Sequence, residues 1–561
     1  MGFDSLTKPA TVKIIRAFFC SKSKIRGRII LLAVTGRRIF VTNDKIVKDD
    51  TPMNSISKQL KFDSPISLVV GNFEYDQYRR ELDLMDDICQ RTGLDNDVAR
   101  FILDMKQQRF DDIRASKGLP PKSFTANKKT RLQENAMTLF RAAVLRKYTT
   151  ESLRVFCRNV ADSPLRQRFC RINRFVAAEI FSKSQLADFE NNLPADFLRQ
   201  AHAKLLQSAC EAIDQATDLN PLGLESPISI SDCYADTTCM QANIHYPVDW
   251  VLLRDVTRTL MLAVDLIRNG GLRHRMPCEP SDFISQINRL CIAMAQCRRK
   301  KDGRKHRKAV LRLMKKLLKK VSAHADRHAK LLEEHWPESD YTEADAKCIL
   351  DRIQRVLDRL PAAMWQAHER IIGQRRVPND RKILSIYEDD IHVIVRGKAG
   401  AETEFGNTLL LVEQADGLVI DWDLLQNSSP GDAALLADSL ERIDSMLPGE
   451  VKSFATDRGF DSPAVRELLK TNGIFNAVCP RSVPALVERL EESEFRRHQK
   501  RRAQTEARVA ILNGFAANPM PQRGFEHREI HMCLSVLAHN LRKLARLRYA
   551  QESRPPNLVA A

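Results

Sequence analysis

The chain reads as an α/β protein: a mixed sheet with helices on both faces, a large helical insertion after the first strand, and a mostly helical N-terminal region. Three observations carry that reading. Short β-like runs alternate with helical patterns from about residue 376 onward, a β-like run stands by itself near residue 230, and everything between, residues 250–372, keeps a helical period.

The 561 residues, 64.0 kDa, are enough for roughly three to four domains. A net charge of +18 and a pI near 9.4 point to a polyanionic partner, either nucleic acid or an acidic membrane surface. Membrane is the weaker choice, because no run of 18 apolar residues exists and residues 1–13 lack the apolar core of a secretory signal. The thirteen cysteines form no Cys-x-x-Cys pair, so neither a zinc ribbon nor a thioredoxin-like site is encoded. An odd number of scattered thiols fits a reduced, cytoplasmic protein.

Residues 1–120 open with β-like runs at 29–34 and 38–41, joined through Thr35, Gly36 and Arg37, and then turn helical to residue 117; no function is assigned to them. Residues 121–225 form a helical region read as DNA-binding. Its stretch 128–174 is rich in Lys and Arg, among them Arg141, Arg146 and Lys147, and Ala161-Asp162 followed by Ser163-Pro164 has helix-turn-helix spacing. The same spacing also fits plain helical packing.

Ile228 and Ile230 then mark a short strand that delivers Asp236 to its end. The insertion, residues 251–375, begins with a seam of Leu253, Val256, Leu260, Val264 and Ile267 on one helix face. Its centre, residues 298–320, carries Arg298, Arg299, Lys300, Lys301, Lys315, Lys316, Lys319 and Lys320 among thirteen cations against the single acid Asp302. Val310, Leu313, Leu317 and Val321 would pack beneath that charge. Cations at this density repel one another unless a polyanion is present, so the face is read as a phosphate-binding surface; the alternative is a solvated helix face. His324, His328 and His335 lack the Glu of a His-Glu-x-x-His site, which argues against a metal role for them.

Beyond residue 376, β-like runs at 383–386, 391–395, 408–413 and 418–425 precede a helix at 432–446, with Asp416-Gly417 as a hairpin turn. A strand then runs into Asp457, a helix follows with Ser462 as N-cap and Pro463 at its first position, and a strand covers 475–479. One long helical stretch, 483–512, holds Arg502 and Glu506; a last helix spans 526–549, and residues 551–561 read as a disordered tail. Two acids at strand ends, Asp236 and Asp457, and one on a helix, Glu506, thus follow one another along the chain.

With Asp236-Thr237-Thr238, Asn243 to Asp249, Arg396-Gly397-Lys398, Glu404 to Asn407, Asp457 to Ser462, Glu506 to Leu512 and Leu537 to Leu541 in this order, residues 165–550 resemble a DDE transposase of a bacterial insertion sequence. The resemblance implies an RNase H-like catalytic domain made of residues 226–250 and 376–550. It also implies that Asp236, Asp457 and Glu506 are catalytic and hold Mg²⁺ or Mn²⁺, two ions, with Asp236 bridging both. Arg502 would hold a phosphate near the metals. The expected substrate is double-stranded DNA, both insertion-sequence ends and target, bound by a homo-oligomer at the nucleoid. Two positions depart from the pattern: Gln499 stands where a tyrosine is common, and Asn513 where a lysine two helical turns after the glutamate is common. Arg508 or Arg523 could supply the missing cation.

Overall fold

The computed structural model describes residues 30–32 and 38–40, 72–172, 179–297, 301–398 and 401–553, the side chains of 30–32, 38–40, 396–398 and 401 excepted. The chain divides into two compact units, Met1–Leu68 with Ile172–Glu179, and all the rest. In the first unit the described residues form an antiparallel pair, β1 (Ile30–Leu32) and β2 (Arg38–Phe40), with Ile30 opposite Phe40.

The second unit is mixed α/β and mostly helical. Helices α1 (Phe73–Thr92) and α2 (Leu94–Ser116) meet at Gly93, whose φ of 68° lets the chain reverse without a Cβ clash. Helix α3 (Ala126–Thr149) is covered by α2 on one side and by the last helix on another. Lys128, Lys129 and Arg131 at its start are exposed, but its second half is enclosed, and there several cations expected at a DNA surface turn inward instead. Arg141, fully buried, pairs with Asp95 at 2.6 Å and with Asp86; Arg146 pairs with Glu190, and Lys147 is buried against His531. The helix-turn-helix spacing becomes α4 (Leu153–Asp162) and α5 (Pro164–Phe169), the turn shrinking to the N-cap Ser163 and the second helix to six residues. Two more helices, α6 (Lys183–Asn191) and α7 (Ala195–Cys210), lead to the sheet.

The six-stranded sheet is built on β3 (Asp232–Gln241) and the long β5 (Ala401–Gln414), antiparallel over their whole common length from Cys233↔Gln414 to Gln241↔Gly406. On its other edge β5 pairs with β4 (His392–Lys398) in its first half and β6 (Val419–Leu424) in its second. On the far side of β3 lie β7 (Ser453–Ala455) and β8 (Phe475–Asn476), both parallel. Gly406 is obligatory where β5 crosses β3, since a Cβ there would stand 2.0 Å from the Met240 carbonyl oxygen. Residues 383–386, expected as a strand, join no ladder: the Ile383 N–H donates to Gln366 Oε1, and Leu384 and Ile386 are buried.

Between β3 and β4 stand α8 (Asp249–Asn269), α9 (Pro280–Gln296), α10 (Gly303–His335) and α11 (Glu343–His368), which build a core of their own. The seam from Leu253 to Ile267 is fully buried there. In α10 the buried stripe is Leu311, Met314, Leu317, Leu318 and Val321, and Leu313, expected beneath the charge, is 53% exposed. His324 and His328 pack into the same stripe, and burial lowers both pKa values, as befits neutral core rings.

After β6 come α12 (Asp432–Met446), α13 (Pro463–Thr471), α14 (Val483–Arg489), α15 (Ser493–Arg502), α16 (Thr505–Ala516) and α17 (Phe525–Glu552). The expected single helix over 483–512 is therefore three. Residues of the Leu537 to Leu541 segment lock α17 to the sheet: Asn540 Oδ1 accepts from the Val419 N–H at 2.9 Å, and His539 Nε2 lies 3.1 Å from the Gly417 carbonyl.

Candidate active site

Asp236 lies in the middle of β3, not at its end. What ends beside it is the neighbour: β7 pairs with β3 only from Asp232↔Ser453 to Tyr234↔Ala455. Asp236 and Asp457 each follow two residues after that last pair, Asp236 within β3 and Asp457 past the end of β7. The chain stays extended at Asp457 (φ −80°, ψ −176°), whose carboxylate caps the following turn by accepting from the Gly459 N–H at 2.9 Å. Both acids are half-buried.

Alternation along β3 sets the face of Asp236. Cys233 and Ala235 pack with Leu435, Leu436 and Leu440 of α12, whereas Tyr234 and Ala455 pack with Phe495 of α15. Asp236, two residues beyond Tyr234 in the same strand, falls on the α15 side; Asp457 lies past the end of β7, in the turn that α12 approaches through Asp432. Helix α15 covers the strand ends there: Gln499 Nε2 donates to the carbonyls of Ala477 (2.6 Å) and Thr456 (3.3 Å), and its Oε1 accepts from Arg502 Nε at 3.1 Å. Gln499 thus ties Arg502 to the residue next to Asp457, a task its amide does with both its donor and its acceptor.

The break between α15 and α16 has a cause that the sequence did not reveal. Glu413 of β5, the register partner of Tyr234, is fully buried, and its carboxylate accepts from Arg501 (3.1 Å), Thr505 (2.9 Å) and Arg508 (2.8 Å). Three donors from the end of one helix and the start of the next converge on one acid, which fixes the elbow between them. From that elbow α16 packs along β3, and the segment after it is pinned at the other end of the strand, where the Met520 N–H donates to the Gln241 carbonyl at 2.8 Å. The helix therefore runs over the Asp236 face, with Glu506 exposed in its first turn. Nothing in local sequence distinguishes Glu413 from a surface strand acid.

The same elbow pairs Arg508 with Glu413 at 2.8 Å. Asn513, half-buried, stands two turns after Glu506 on nearly the same face, and Arg523 is exposed after α16. Burial, followed by the charge of Asp232, pushes the Tyr234 phenol up to about 12, so it keeps its proton near neutral pH. A further acid missed from sequence is Asp432, at the start of α12, whose Oδ1 accepts from Thr237 Oγ1 at 2.9 Å. Its other oxygen would stand 2.4 Å from a Cβ at Gly459, so that glycine is what lets α12 close on the turn after Asp457.

As metal ligands, Asp236, Asp457 and Glu506 supply only carboxylate oxygens, the donor type that Mg²⁺ or Mn²⁺ takes. Among the described residues, no group of three or more His, Cys, Asp or Glu side chains is gathered tightly enough to hold a metal ion. Asp236 thus lies on β3, Asp457 just past the end of its neighbour β7, and Glu506 in the first turn of the helix that packs along β3.

Of the basic segment, Lys316, Lys319, Lys320 and Lys301 are exposed, whereas Lys315 is half-buried with its ammonium 3.1 Å from His368 Nδ1. Arg298, Arg299 and Lys300 lie outside the described residues, as do the side chains of Arg396 and Lys398. Among the described residues no helix is long and apolar enough to cross a membrane. Compared with protein-family models, with curated proteins and with solved structures, the chain has no match in any of the three.

Proposed function

We propose that the chain is a DDE transposase with an RNase H-like catalytic domain, cutting and joining DNA strands at insertion-sequence ends. The observation that supports the reading is that the β3–β7 pairing ends two residues before both Asp236 and Asp457, while α16, with Glu506 in its first turn, packs along β3. The sheet order supports the RNase H-like part: three antiparallel strands, β3, β5 and β6, then β7 and β8 parallel on the other side of the first.

A divalent Mg²⁺ or Mn²⁺ held by Asp236, Asp457 and Glu506 would neutralise the carboxylates and favour attack of an oxygen nucleophile on a phosphodiester. The chain's own part is positional. The strands hold two carboxylates at a fixed separation, Glu413 sets the start of the helix that carries the third, and Arg502, aimed through Gln499, offers a guanidinium to the phosphate being cut. The exposed cations of α10 bind duplex backbone without reading sequence. The test is nicking of a supercoiled plasmid that carries the element's own terminal repeats, with and without Mg²⁺; binding of those ends without metal-dependent nicking would reject the enzyme.

A second reading, a weakened transposase-derived DNA-binding protein, is favoured by Asn513, which is uncharged on the Glu506 face while Arg508 is committed to Glu413. Asn513→Lys should then tighten end binding and speed nicking several-fold, the scale of one added charge-assisted phosphate contact. Equal rates for the two proteins would remove this support.

A further inference from the structure

At the foot of the insertion, α11 runs into a π-helical turn, Glu369–Gly373, and the chain reverses at Gln374 in the left-handed region (φ 56°). That reversal brings Arg370, Arg375 and Arg376 against Arg304 and Arg307, from the first two turns of α10, around an open cleft of about 370 Å³. Two of the five are neutralised by the protein: Arg370 by Asp249 at 2.8 Å, and Arg375 by Glu369 at 2.8 Å. Among the described residues no carboxylate is placed against Arg304, Arg307 or Arg376; Arg307 lies over the Trp250 ring at 5.9 Å. Three guanidiniums around one cleft, at the start of a 33-residue helix whose dipole is also positive there, repel one another without an anion.

We propose that this cleft is a binding site for closely spaced phosphate groups. A single carboxylate ligand would leave most of the charge unmatched, whereas two neighbouring phosphates bring at least one negative charge each on non-bridging oxygens that guanidinium forks can bind in pairs. A second cleft, about 210 Å³, shares Arg370 and Arg376 and is walled by Tyr246, Phe405 and Val393. Tyr246 is 73% exposed and meets Phe405 edge-on at 5.5 Å, so whatever continues from the phosphates finds an apolar wall. Lys382 lines it too, its pKa lowered by burial and then by Arg370 and Arg376. The wall belongs to the end of β3 that lies beyond Gln241, about 17 Å along the strand from Asp236. Backbone phosphates of a bound DNA and a free polyphosphate share this chemistry. The site rests on the polyanion part of the proposed function and not on its catalytic part.

The experiment uses the full chain and a variant with Arg304→Gln, Arg307→Gln and Arg376→Gln, together with single Arg376→Gln in case the triple change impairs folding. Affinity for a labelled duplex of arbitrary sequence is measured over a salt series, and inorganic pyrophosphate is titrated while Trp250 fluorescence and thermal unfolding are followed. For DNA the expected result is a salt slope shallower in the variants by about 0.9 for each phosphate no longer neutralised, with Lys347→Gln, an exposed cation on α11, unchanged. Pyrophosphate that stabilises the wild-type chain and not the variants, with the duplex slope unaltered, would assign the site to a free polyphosphate. Variants equal to wild type in both arms would overturn the proposal. Because no arm reads nicking, an inactive but phosphate-binding protein would reject the transposase and leave the site standing.

Discussion

In the sheet, Glu413 lies fully buried among Arg501, Thr505 and Arg508, while in the insertion the buried stripe of α10 contains no Lys, Arg, Asp or Glu and its cations stand outside. The first arrangement uses a buried carboxylate to set one elbow, and hence one acid, relative to two strands. The second needs only a helical period that keeps charge on one side and leucine on the other. Chemistry on a strand-borne constellation tolerates little displacement, because ligand geometry falls off within a fraction of an ångström, whereas phosphate attraction on a helix face is spread over many groups and falls off slowly. Single changes in the sheet should therefore act all or none, and changes in the insertion by increments.

The largest expected effect separates the two directly. Asp236→Ala, Asp457→Ala and Glu506→Ala should each reduce metal-dependent nicking by at least about a thousandfold, the scale of losing an essential group, while end binding in a gel-shift titration changes little. Near wild-type nicking by any one of them removes that residue from the site. Glu413→Ala comes next: it leaves Arg501 and Arg508, only 13% and 16% exposed, without their anion, and should cost about 3 kcal/mol of stability in denaturant unfolding. A loss as small as that of a surface ion pair would mean that the elbow is held by packing alone.

The pH dependence of stability should also come from the sheet side. His202 and His539, both buried where α7 and α17 meet the β5–β6 hairpin, are held down to about 4 chiefly by burial. Unfolded chain takes up protons near 6.5 and the folded chain does not until about 4, so stability is complete above pH 6.5 and declines from there toward pH 4. Thermal unfolding followed across that window should show the decline, and His539→Gln should flatten it. The smallest effect belongs to the insertion. Replacing Lys316, Lys319 and Lys320 by Gln should weaken all duplexes alike, with stability unchanged and a salt slope shallower by about 0.9 for each phosphate that the side chains had neutralised; a sequence-dependent weakening would show that α10 reads bases.

Periodicity alone determined much of this protein: the helices at 432–446 and 463–471, with Ser462 and Pro463 opening the second, the seam of α8, the hairpin at Asp416-Gly417, and the helical stretch that separates β3 from the other strands. These are local properties, set by side-chain spacing and turn chemistry within a few residues. The order of short motifs singled out three acids and Arg502 as the candidate site. Tertiary structure decided what depends on partners distant in sequence. Asp236 belongs to the middle of a strand because β5 pairs with all of it and β7 with only part. The helix at 483–512 breaks because a buried acid about 90 residues earlier collects donors from both sides of the break. Arg141, Arg146 and Lys147, which composition counts with the DNA-facing charge, are drawn inside because α3 is enclosed by helices that bring Asp95, Glu190 and His531 to them. Charge is visible in sequence; whether a charge meets solvent or a buried partner is a matter of which surfaces pack together.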